Sequence, residues 1–255
     1  PGLPWEPCFK GLGAAGLYVE TWSLGRDPVD YLASQNAPSP VQHYWTLSAE
    51  EQFYLVWPLL VVLGLLLARW TGRRRTPSIT VVLAVAAVAS LAFSLWQTAA
   101  NPAVAYFSTL TRAWEFAAGA LLACAAGRTL AGRWPQVAAA VSGAGLLVVL
   151  VCSLAFTDST PMPGVAAVVV VAGAVMVVLA GDAAPAWSPT RLLTWRPVTW
   201  LGDISYSMYL WHWPLLVLLP YVLERPAGLL DRVGVLVATI LLAWGTKVLV
   251  EDPVR

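Results

Sequence analysis

Charge is what this chain has least of: 11% of its 255 residues are Asp, Glu, Lys or Arg, against about 25% in an ordinary soluble domain. So few ions cannot cover a water-facing surface. With 58% apolar residues, the composition excludes soluble, fibrous and disordered classes and leaves an integral membrane protein. The charges nearly balance, 15 basic against 14 acidic for a net +1, so no nucleic-acid or polyanion surface is implied. Cysteine is scarce: Cys8, Cys124 and Cys152 cannot build a disulfide framework and read as small core residues. Histidine occurs twice, and with scattered acids this gives no metal-ligand spacing. There is no phosphate-binding Gly loop, no G-x-S-x-G elbow and no H-E-x-x-H. No internal repeat suggests a transporter built from inverted halves.

Long apolar runs are what is there. Seven of them, about 50–70, 79–99, 105–126, 136–156, 164–180, 203–221 and 232–250, approach the roughly 20 helical residues needed to cross hydrocarbon. Lipid offers the backbone no partner, so each run is predicted to be a helix. The expected fold class is an all-α integral membrane protein, a bundle of about seven transmembrane helices over residues 49–255. Residues 1–48 read as a loop segment. The 14 Trp sit mostly near the ends of apolar runs, as an interfacial belt requires. Lys and Arg in alternate connections are unevenly shared. One side holds Arg69, Arg73, Arg74, Arg75, Arg128, Arg133, Arg191, Arg196, Lys247 and Arg255; the other holds Lys10, Arg26, Arg225 and Arg232. The richer side is expected in the cytoplasm, with residues 1–48 extracytoplasmic and the C-terminus cytoplasmic.

Polar residues inside such runs need a reason, since a mid-bilayer charge costs at least about 2.5–3.5 kcal/mol. Three groups stand out. The first is His43-Tyr44-Trp45-Thr46-Leu47-Ser48-Ala49-Glu50-Glu51-Gln52 at the mouth of the first run. Ser48 followed by Glu51 spells a capping box. Glu50 and Glu51 diverge by about 100° on a helix, so one carboxylate is left over to face the bundle. Pro58 is expected to kink the helix below them. The second group is the stripe Ser108, Arg112, Glu115 and Gly119. Arg112 and Glu115 are spaced to pair, either as a structural ion pair or as a site, and Gly119-xxx-Ala123 suggests close helix packing. The third is Ser205, Tyr209 and His212 on one face. Pro214 frees the Leu210 carbonyl beside them. His212 could be a packing residue, or a base, acid or donor in a polar pocket.

The run His43 to Pro58, HYWTLSAEEQFYLVWP, resembles the signature of the membrane-bound acyltransferase family 3, whose members O-acetylate lipopolysaccharide, peptidoglycan and exopolysaccharide. Three further segments agree in order: Tyr106-Phe107-Ser108-Thr109 through Phe116, Ile204-Ser205-Tyr206-Ser207 through Pro214, and Val250-Glu251-Asp252-Pro253. Thr46, Ala49, Phe116 and Met208 are mild departures. The resemblance implies about ten helices, of which these would be the last seven. It also implies an essential histidine, preceded by an arginine, in a first helix that this chain lacks, so the polypeptide alone is expected to be inactive.

The implied activity is transfer of an acyl group, usually acetyl, from cytoplasmic acetyl-CoA or another acyl-CoA, used as co-substrate with no bound cofactor. The acceptor would be a hydroxyl of a cell-envelope glycan or lipid-linked saccharide, and the location the bacterial plasma membrane. Under that reading Arg112, Glu115 and His212 are the catalytic candidates. His43, Trp45, Glu50, Glu51 and Tyr209 would meet the acceptor. Arg73, Arg74 and Arg75 would attract donor phosphates, unless they serve only to set topology. A carrier or flippase for an envelope precursor, or a structural partner of a separate enzyme, would also use buried charges and a kinked helix.

Overall fold

The computed structural model describes residues 40–125, 130–157, 159–181 and 187–254. The cysteine and the two basic residues expected in the leading segment, Cys8, Lys10 and Arg26, lie outside these, as does Arg128. No strand occurs among the described residues. A 3₁₀ turn, Gln42–Tyr44, leads into α1 (Trp45–Thr71), and α2 is Arg75–Ala100. Then come α3 (Pro102–Phe107), α4 (Thr109–Cys124), α5 (Pro135–Ala155) and α6 (Gly164–Ala180). Two short helices, α7 (Thr190–Leu193) and α8 (Arg196–Asp203), precede α9 (Ser205–Leu223) and α10 (Leu229–Thr246). The last turns are a π-helical stretch, Lys247–Glu251, and α11 (Asp252–Val254).

All seven expected segments are helical, and four helices are long and apolar enough to cross a membrane: Gln42–Thr71, Arg75–Ala100, Pro135–Ala155 and Leu229–Val254. Gly164–Ala180 is apolar but shorter. The other two carry the polar exceptions: α4 holds Arg112 and Glu115, and α9 holds His212 and two prolines. The boundaries also move. Helix begins at Gln42, inside the segment expected to be loop up to residue 48, and Asp203 closes α8 instead of opening α9.

Burial runs opposite to that of a soluble protein. Ser48, Ser94, Ser142 and Ser207 are fully buried, while large aliphatics such as Leu154 (87% exposed) and Leu230 (86%) face outward. In lipid, large side chains gain nothing by hiding, and small residues let helix backbones approach. The crossing of α5 and α6 shows this: a Cβ on Gly145 would lie 2.6 Å from the Gly173 carbonyl oxygen. Gly64 packs similarly on Ile79 of α2. Gly119 does not. Among the described residues nothing lies within 4 Å of a Cβ there, so none of the described helices makes the close packing expected at Gly119-xxx-Ala123.

Hydroxyls stitch the helices. Ser90 of α2 donates to the Leu110 carbonyl (2.6 Å) and accepts from the Trp114 amide (2.9 Å), two groups that would bond to each other in an unbroken α4 ladder. Thr98 accepts from the first amide of α6, Gly164 N–H, at 3.2 Å. α2 thus packs on α1, α4 and α6, α5 pairs with α6, and α9 pairs with α10.

A Gly145→Val substitution should cost about 1–3 kcal/mol by overpacking. Gly119→Ala should be neutral or stabilise by up to about 1 kcal/mol. Detergent-titrated unfolding of the two variants tests this, and equal effects would count against the assigned crossing.

Candidate active site

The chain's two histidines meet at the head of α1. The 3₁₀ turn carries His43 into contact with α9, its ring centroid 5.5 Å from that of His212 in an edge-on arrangement and 5.1 Å from that of Tyr209. His43 is 8% exposed. Neither ring nitrogen has a hydrogen bond of good geometry, and the ring lies against the backbone of Tyr209 and Leu210. Pro214 has no N–H, so the Leu210 carbonyl loses its ladder donor. Histidine is the polar group that comes up to it. Tyr209 pins the junction: its hydroxyl donates to the His43 carbonyl and contacts the Thr46 hydroxyl, which itself donates to the same carbonyl at 3.1 Å.

His212 is held by its own helix, Nδ1 lying 2.7 Å from the Tyr209 carbonyl. A carbonyl only accepts, so Nδ1 carries the proton and Nε2 is left as the basic nitrogen. Tyr209 and His212, with Ser205 and Met208 on the same face and with Leu201 and Gly202, line an open cleft of about 490 Å³. The expected stripe Ser205, Tyr209 and His212 is therefore one wall of this cleft.

Two residues after His43, Trp45 faces the other way. It is 5% exposed and packs on Tyr106 and Phe107. The Arg112 guanidinium sits over the Trp45 and Tyr106 rings, 5.0 and 5.4 Å from their centroids, and donates to the Tyr106 carbonyl. Its ion pair with Glu115 forms at 3.6 Å, with both side chains 20% exposed. Glu115 Oε1 is buried without a partner. Face-on aromatic contact holds a cation while leaving in-plane donors available.

The stripe that placed Arg112 is not one continuous helix. The expected span 105–126 breaks at Ser108, which is extended (φ −70°, ψ 122°). Asn101 caps the short α3 through Val104 N–H, Pro102 opens it, and the Thr111 hydroxyl closes the break on the Ala105 and Ser108 carbonyls at 2.6 and 2.7 Å. The capping box is also absent. Helix starts three residues earlier, so Ser48 lies inside it and donates back to the Tyr44 carbonyl. Glu50 instead accepts from Tyr54 at 3.0 Å, and Glu51 is exposed. Pro58 lies inside α1, which continues through it.

Two residues that the sequence reading noted without giving them a role, Glu251 and Gln52, tie helices together. Buried Ser207 donates to Glu251, and Trp211 donates to Thr246 at 2.9 Å, joining α9 to α10 along the face opposite Tyr209. The signal for Glu251 was its position: a carboxylate at the end of an apolar run, two residues before Pro253. That proline removes an amide donor, the ladder slips to π register, and the Asp252 amide reaches the Lys247 carbonyl. Gln52 is the other, accepting from Thr109 at 2.7 Å and tying α1 to the start of α4. Among the described residues, no group of three or more His, Cys, Asp or Glu could hold a metal ion.

Among the described residues, an all-helical fold with four helices of membrane length defines an integral membrane protein, with His43, Tyr209, His212 and the Arg112–Glu115 pair gathered at the head of α1. The chain belongs to the acyltransferase family described as "Acyltransferase domain", matching it over residues 3–248. It is 28% identical over 253 residues to the peptidoglycan O-acetyltransferase OatA of Listeria monocytogenes, covering 95% of this chain and 39% of that protein. It is also 28% identical over 261 residues to the O-acetyltransferase OatA of Staphylococcus aureus, covering 95% and 40%. The chain thus spans about two fifths of the length of these relatives. No solved structure matches it.

Tyr209→Phe keeps the ring contacts and removes the hydroxyl that binds α9 to the 3₁₀ turn. It should lower stability by about 0.6–1.7 kcal/mol, measured by unfolding in mixed micelles. An unchanged midpoint would show that the junction is held by packing alone.

Proposed function

We propose that the chain carries the intramembrane site of an O-acyltransferase that moves an acyl group, acetyl in the simplest case, from an acyl-CoA thioester to a hydroxyl of a cell-envelope glycan. The carrying observation is the convergence of His43, Tyr209 and His212 on one side of the head of α1, with Arg112 and Glu115 on the other. In this reading the acceptor hydroxyl lies in the 490 Å³ cleft and hydrogen-bonds to His212 Nε2. The hydroxyl oxygen attacks the thioester carbonyl. A C–O bond forms, the hydroxyl proton passes to His212, and the carbonyl becomes an oxyanion. Arg112, held by the Trp45 and Tyr106 faces and balanced by Glu115, lies across the head of α1 from the cleft and would come to that oxyanion from the side opposite His212. Collapse breaks the C–S bond, and the thiolate takes the proton from His212, so the step balances without any further reactant.

His43 and Tyr209 act as positioning residues, because the hydroxyl of one and the main chain of the other fix the cleft wall. Glu50 and Glu51 lie further along α1, with Glu50 occupied by Tyr54; their part is at the approach to the site. The bias of basic residues supports a topology with the head of α1 outside and the Arg73–Arg75 end in the cytoplasm of a multi-pass bacterial plasma-membrane protein, so donor and acceptor would meet within the bilayer.

The test is acetyl transfer to glycan by membranes carrying the product of the complete reading frame, read as acceptor mass and as acetyl-CoA consumed. Arg112→Ala should lower turnover by about 10²–10³-fold and His212→Ala by about 10²–10⁴-fold. Near-native rates for both Arg112→Ala and Glu115→Ala would sink the assignment, and translocated but unmodified acceptor would identify a carrier instead.

A further inference from the structure

We propose that the cleft at the turn between α1 and α2 is a site for the phosphate headgroup of an anionic phospholipid. The turn is tight. Gly72 adopts φ 64°, the left-handed region open to glycine, and the amides of Gly72 and Arg73 both close on the Ala68 carbonyl. The chain therefore reverses within a few residues, and Arg69 before the turn meets Arg73 and Arg75 after it around one cleft of about 600 Å³. The rest of the lining is Val62, Leu65, Leu66 and Ala68 of α1.

Charge and depth decide the occupant. No Asp or Glu occurs anywhere between Glu51 and Glu115, and the ion pairs of the described residues involve none of these arginines. Three exposed guanidinium groups thus share one rim with no counter-ion among the described residues. Val62 lies seven residues before Arg69, about 10 Å deeper along the helix, and its side chain is 50% exposed. A ligand filling this cleft carries negative charge at the rim and an aliphatic chain below it. That is the form of an anionic phospholipid, and Arg recognises phosphate through paired donors. Soluble acyl-CoA fits less well, because the lining residues offer no aromatic face or amide to a nucleotide base. This site is separate from the histidine cluster, and its test does not depend on catalysis.

The experiment places the purified full chain in nanodiscs of equal phosphatidylglycerol and phosphatidylcholine and counts retained lipid by native mass spectrometry. Phosphatidylglycerol should be retained in preference. Arg69→Gln and Arg75→Gln should each lower that preference by on the order of 5-fold, while Arg133→Gln should not. Each single change leaves neighbouring arginines to set topology. The proposal is overturned if the unaltered chain shows no preference between the two lipids. It is equally overturned if Arg133→Gln matches the cleft variants, or if added coenzyme A displaces the bound phosphatidylglycerol at stoichiometric concentration.

Discussion

A bilayer supplies no hydrogen bonds, and that constraint organises everything else in this chain. A polar group placed between helices gains most from a protein partner, since lipid offers none. The consequence is visible in where the hydroxyls go. Ser90 enters the α4 ladder between Leu110 and Trp114, Thr98 caps α6, Thr111 closes the break at Ser108, and Ser207 binds Glu251. These are contacts between helices as well as satisfied donors. They do the locating that a hydrophobic core does in water, where burying large side chains would contribute most of the energy. Here the large side chains are outside.

The same constraint explains why the site lies beside prolines. A proline inside a helix removes one donor and leaves a carbonyl four residues back without its ladder partner. Pro214 does this to Leu210, where the His43 ring sits. Pro253 coincides with the shift to π register that ends at Glu251, the partner of Ser207. Freed carbonyls are polar positions at a depth where side chains alone would be costly. They offer polar contacts beside which imidazole, phenol and carboxylate groups gather.

The helices were legible because apolar runs of this length have one solution in lipid. Arg112, Glu115 and His212 were legible as exceptions to those runs, and the i, i+3 spacing correctly paired the first two. What stayed hidden depends on partners from elsewhere in the chain. The break at Ser108 keeps the helical spacing of the stripe on paper, while Asn101 and Pro102 start a separate short helix. Ser48 and Glu51 spell a capping box, but the packing of Trp45 and His43 extends the helix upstream and makes it void. Small-residue spacing marked Gly119, whereas the close crossing is at Gly145 and Gly173, set by which helix faces which. The meeting of His43 with His212 is of the same kind. It joins residues far apart in sequence and has no local signature.

The arrangement at the head of α1 also couples the two halves of the site mechanically. His43 and Thr46 hold α9 through Tyr209, while Trp45 and Gln52 hold Arg112 and Thr109 of α4. The residues that face α9 and those that face α4 interleave within three turns of helix, so a tilt or rotation of this segment moves both sets together. α9 and α10 pack chiefly on each other, and the polar junction at Tyr209 is a principal tie between that hairpin and α1. A ligand that enters the cleft between Ser205 and His212 presses on the same wall. Occupancy of the cleft and placement of the arginine are therefore linked through one short helical segment. Under the proposed function, that is a physical route by which an acceptor in the cleft would bring Arg112 into register.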